Sequence, residues 1–199
     1  NYDTALSSQW FLLQQIVMLL LTFLGEGLLL TITFMAAESL TRKAFPHHIQ
    51  FWKVWSPEVA SSKQVLGRTI GGYLVVGFFL AFDVALYLFA TNVLGWWTPS
   101  APLFDPNVLA TYFPWLSSIA ISLHAGYWEK CLFRAIPIAD AVLLGKKFGK
   151  TILWVIAAFI VQALIFGSAH ANYAQQPAYA RLVELIIPSI VFGLLYFYF

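Results

Sequence analysis

Long apolar stretches separated by short polar ones dominate this chain. Trp10 to about Ala37 is hydrophobic except for Glu26, and Glu38, Arg42 and Lys43 follow it. A second stretch, Thr69–Thr91, carries Asp83, a third, Val108–Trp128, is uncharged, a fourth is Thr151–Ala169, and a fifth starts at Leu185 and runs to Phe199. About 20 apolar residues cross a bilayer as a helix. The pattern therefore predicts an all-α, polytopic transmembrane helical bundle with about five spans visible. The third helix is expected to continue through Glu129 and Arg134 to about Leu144, kinked at Pro137. Gly145-Lys-Lys-Phe-Gly-Lys150 is expected to end it. Residues 44–68 mix Phe45, Phe51, Trp52 and Trp55 with Lys53, Lys63 and Arg68, as in a segment lying at the membrane interface. Turn chemistry at 95–102, with Trp96 and Trp97, closes the second span.

Composition removes other classes. The chain has 199 residues, 60% hydrophobic and only 10% charged, against about 25% charged in an average soluble domain. Its net charge of +2 is too small for a nucleic-acid footprint, so no nucleic-acid partner is expected. Membrane lipid is. The single Cys131 cannot form an intrachain disulfide and reads as apolar filler in a helix. Five Lys or Arg in 38–68 and three in 145–150, with none in 92–107, put the first two connections on the cytoplasmic side and Asn1 outside. Both ends read as cut, and the chain is expected to be an interior piece of a longer protein.

Ionisable groups inside hydrocarbon cost about 2.5–3.5 kcal/mol on insertion scales, so each is a candidate for function. Glu26, Asp83, Glu129 with Lys130 and Arg134, and His170 qualify, although Glu26 and Asp83 read more readily as internal pair partners of each other or of a basic residue on another helix. His47-His48 reads as surface histidine and His124 as a hydrogen-bonded core histidine. Glu129 lies 16 residues before Gly145 and His170 lies 20 after Lys150. In antiparallel helices these are about 24 and 30 Å from the turn. The two can therefore meet. A carboxylate and an imidazole together can activate water or hold a metal, and a plain Glu–His hydrogen bond locking two helices fits the spacing as well.

Glu129-Lys-Cys-Leu-Phe-Arg134 resembles the Glu-Glu-x-x-x-Arg motif of the CPBP family of intramembrane endopeptidases, the CAAX-protease and bacteriocin-processing or Abi family. Phe166-Gly-Ser-Ala-His170 resembles its Phe-x-x-x-His motif, and Ile190-Val-Phe-Gly-Leu-Leu-Tyr196 is similar to the helix that follows. The resemblance covers about 110–199, a partial protease core, and leaves 1–109 as N-terminal membrane helices with their interfacial loop. It implies an endopeptidase like the type II CAAX prenyl proteases, acting on peptide or prenylated-protein substrates at a bacterial inner membrane. Glu129 would activate water with help from His170. Arg134 would be structural and Phe166 a packing aromatic. Zinc held by His170 and Glu129, with a third ligand outside this sequence, and a metal-free glutamate mechanism both stay open. The family's third motif is expected on at least one further span beyond residue 199. Lys130 departs from the pattern, standing where the family has its second Glu, so Arg134 must find another acid, with Asp83 and Glu26 as candidates. Two other readings compete: a non-catalytic scaffold, immunity-type or partner-binding module on the same fold, and a proton-coupled transporter relaying through Glu26, Asp83 and Glu129.

Overall fold

The computed structural model describes residues 5–97, 113–172 and 174–199. Among them the architecture is all-α. Helix α1 spans Ser8–Ala44, opened by the Ser7 hydroxyl, which accepts from the Trp10 N–H. A 3₁₀ turn, Phe51–Trp55, and the short α2, Pro57–Ala60, follow. Helix α3, Lys63–Leu94, starts under a Ser62 cap and ends at Gly95, whose φ of +67° suits glycine. Helix α4 is Pro114–Lys130, a π-helical turn covers Cys131–Ala135, and α5 is Ile136–Phe148. Helices α6, Thr151–Ala169, and α7, Ala180–Tyr198, complete the fold.

Four of these helices, α1, α3, α6 and α7, are long and apolar enough to cross a membrane. From Leu12 to Leu29 every residue of α1 is exposed, a surface that lipid covers at no hydrophobic cost. Expected boundaries move in three places. The helix expected as the third span is described only from Pro114, its 17 residues are not among those four, and it merges through the π turn into α5, while 98–112, including most of the turn expected at 95–102, lies outside the described residues. The last helix starts five residues earlier than Leu185, at Ala180. The break expected across 145–150 is confined to Gly149 and Lys150, both at positive φ, and Gly145 stays helical. Segment 45–62 is the non-spanning connection the rings and basic groups suggested, with Trp52 and Trp55 exposed.

The π turn has a local cause. Pro137 donates no N–H, and in a regular helix its ring would press on the carbonyl four residues back, that of Phe133. The preceding turn widens instead, and the Ile136 N–H bonds to the Cys131 carbonyl, five residues back. The expected kink becomes a bulge.

Small residues let the bundle close. Ala37 and Ala44 of α1 meet Ala135, Ile138, Ala139 and Val142, with Cys131 buried beside them as filler. Close backbone approach through small side chains is how helices associate without a hydrophobic driving force. Hydrogen bonds add direction: Thr41 and Tyr196 share one at 2.6 Å, and the Lys146 ammonium donates to the Ala44 carbonyl. At the α5–α6 turn a Cβ on Gly145 would stand 2.5 Å from the Thr151 Cα. Gly145→Val therefore forces the two helices apart at their shortest connection. The expected loss is about 1–3 kcal/mol, read as a lowered thermal midpoint in detergent, whereas Gly126→Ala, with open space at its Cβ, should leave the midpoint unchanged.

Candidate active site

Helices α4 and α6 run antiparallel and carry the two groups singled out by depth. Glu129 sits at the end of α4, one residue before Lys130 and the π turn, and His170 is the C-cap of α6. Their side chains meet: His170 Nε2 lies 3.6 Å from Glu129 Oε1, both partly buried. The Phe166 carbonyl lies 2.7 Å from His170 Nδ1. A carbonyl only accepts, so Nδ1 carries the hydrogen and donates, and Nε2 is the nitrogen turned toward the carboxylate.

Phe166 is built into this arrangement three times. Its carbonyl orients His170, its ring packs on the imidazole at 4.5 Å between centroids, and the same ring stacks under the Arg134 guanidinium at 4.0 Å. Phe133 meets Phe166 edge-on at 5.2 Å, and Phe192 of α7 closes the other side of Arg134 at 5.4 Å. Arg134 is thus a buried cation in an aromatic cage, contributed by the π turn, α6 and α7. Among the described residues no carboxylate lies within ion-pair distance of it.

The acids suggested for Arg134 are engaged elsewhere. Glu26 pairs with His124 at 3.4 Å, on the exposed faces of α1 and α4, so His124 is a surface partner and not a core histidine. Asp83 lies one turn before Tyr87, within electrostatic reach of Glu184 and Arg181. There the Tyr87 hydroxyl donates to Glu184 at 2.6 Å, and Gln175 and Arg181 also donate to Glu184. This polar cluster ties α3 to α7, and Glu184 falls just outside the expected last span, which begins at Leu185, five residues after the helix does. Arg-x-x-Glu at 181–184, just ahead of an apolar run, was the available signal. Lys130 does not join Arg134 either. Its ammonium stands 4.8 Å over the Phe51 ring of the interfacial segment.

The donor set bears on metal. A catalytic zinc site uses about three protein ligands, and among the described residues no third His, Cys, Asp or Glu joins Glu129 and His170. These residues alone do not complete a zinc site, and no step below is drawn through one.

The site thus sets a partly buried carboxylate against an oriented imidazole across two antiparallel helices. In the family comparison, residues 111–199 match the family described as type II CAAX prenyl endopeptidase Rce1-like, and this segment is a domain of that family. Neither the curated proteins nor the solved structures gave a match.

One energetic consequence is measurable. Cation–π contacts contribute about 0.5–1 kcal/mol when exposed and about 2 or more when desolvated. In a double-mutant cycle of Arg134→Met and Phe166→Leu, unfolding in detergent should show a coupling of about 1–2 kcal/mol. Additive losses would mean that the ring and the guanidinium stabilise the fold independently.

Proposed function

We propose that this chain is an intramembrane endopeptidase in which Glu129 activates water and His170 assists. A family domain over 111–199 supports the class, and the single observation that carries the mechanism is the 3.6 Å approach of His170 Nε2 to Glu129 Oε1. Two acceptors that close lie within hydrogen-bond reach of one water molecule. In this reading the carboxylate takes a proton from that water as its oxygen attacks the peptide carbonyl, and then hands the proton to the departing amine. His170, with Nδ1 committed to the Phe166 carbonyl, accepts the second water hydrogen at Nε2 and aims the nucleophile. Residues 110–199 serve as the catalytic unit, 1–109 as membrane helices that flank it, and prenylated peptides as the substrate class, as the family name suggests. By the charge of the loops, 38–68 and 145–150 face the cytoplasm, in the bacterial plasma membrane the motif strings imply.

One observation favours a second reading, a non-catalytic partner-binding module: Lys130 replaces the acid of the family pattern, and among the described residues no carboxylate lies within ion-pair distance of Arg134. Cleavage decides between them. With the chain in proteoliposomes and a quenched fluorogenic farnesylated CAAX peptide as substrate, Glu129→Gln and His170→Ala should each lower the rate by at least about 10²-fold while helicity is kept. Undiminished cleavage in either variant removes the mechanism, and no cleavage by the parent chain supports the binding module.

A further inference from the structure

A second site lies on the other side of α4. A cavity of about 430 Å³ opens between the interfacial segment, the start of α3 and the face of α4 that carries Lys130. Phe51, Val54, Val65 and Tyr127 supply apolar walls, and Arg68 and Lys130 both reach it. The ring of Trp55 stacks on that of Tyr127 at 6.4 Å and joins the interfacial segment to α4 there.

Its charge is unbalanced. Among the described residues neither Arg68 nor Lys130 has a carboxylate within ion-pair distance, and the buried Arg68 Nε has no hydrogen-bond partner. Glu38, which lies close by on α1, is already held by Arg42 and by the Phe51 N–H. His48 adds no charge at neutral pH: burial, then the neighbouring His47, Arg68 and Lys130, push it down to about 4. The half-buried Arg68 and the more open Lys130 thus share an apolar-walled pocket with no counter-charge among the described residues, an imbalance that an anion in the pocket relieves.

We infer that this cavity binds the phosphodiester headgroup of an anionic phospholipid, with Arg68 and Lys130 as its cationic clamp. Location selects lipid over other anions. Phe51 and Val54 come from a segment whose Trp52 and Trp55 are 61% and 73% exposed, the side chains that settle at headgroup depth. That segment also belongs to the most basic connection of the chain, and basic pockets between membrane helices on such a side are where anionic headgroups collect. Ser122 lines the same cavity and its hydroxyl can donate to a remaining phosphate oxygen, whereas the Thr69 hydroxyl is committed to the Val65 carbonyl. This site does not depend on the peptidase reading. It gives the Lys that replaces the motif acid a task of its own.

The test uses the full chain in nanodiscs of equal phosphatidylglycerol and phosphatidylcholine, released into native mass spectrometry. The parent chain should keep one phosphatidylglycerol and no phosphatidylcholine. Arg68→Gln with Lys130→Gln should lower that occupancy at least about tenfold, and Arg68→Lys with Lys130→Arg should keep it. If the neutral pair fails to fold, the lipid comparison on the parent chain and the charge-keeping pair decide. Equal retention of the two lipids, or full retention in a folded neutral pair, overturns the assignment. So does displacement of the lipid by millimolar inorganic phosphate, which would make this a site for the free ion. Displacement by a short peptide with a free C-terminal carboxylate, but not by its amide, would reassign the cavity to peptide.

Discussion

A guanidinium laid on a benzene ring holds this molecule's central pair of helices in register. Arg134 and Phe166 come from different helices, and among the described residues the desolvated cation has no carboxylate within ion-pair distance, so the ring faces and the packing around them do much of the compensating. Phe166 cannot shift without exposing that charge to hydrocarbon. Its backbone carbonyl therefore becomes a fixed point, and His170 takes its orientation from it. The imidazole reaches Glu129 because a structural cation one turn further along is caged. Structure and candidate chemistry share one aromatic residue.

The widened turn works in the same direction. Pro137 perturbs the helix at the level where Glu129, Lys130 and Arg134 leave it, and π turns commonly mark such places. Glu129 and Arg134 face the α6 side, toward His170 and Phe166, while Lys130 departs for the interfacial segment. One helix thus serves two environments, a reactive pair on one flank and a basic pocket on the other.

Much of this was legible in the string of residues, and the reasons are physical. Hydrophobic runs are long and a bilayer is thick, so the helices could be located, α6 to the residue. Depth arithmetic from the 145–150 turn brought Glu129 and His170 to similar heights, since rise per residue is fixed. Pair partners were harder. Arg134 was assigned an acid because charge suggests charge, yet its neighbours are rings, whose faces carry no formal charge to be counted in a sequence. Glu184 does not stand out in the string because it follows a polar loop, 171–181, and its partner Tyr87 lies 97 positions away. Pro137 predicts a kink where the structure has a π turn, because proline announces a disturbance without saying which form it takes.

The hydrogen bond between Thr41 and Tyr196 spans 155 positions. Ribosomes add roughly 5–20 residues per second, so the hydroxyl on α1 enters the bilayer roughly 8–30 s before its partner exists. A threonine can wait out that interval by bonding to a carbonyl of its own helix, as Thr33 does with Leu29. A side chain unable to satisfy itself would have had to find a provisional companion. The choice of residue at position 41 thus bears on biogenesis: the clasp between α1 and α7 fastens only once α7 is made, without leaving a naked polar group in oil meanwhile.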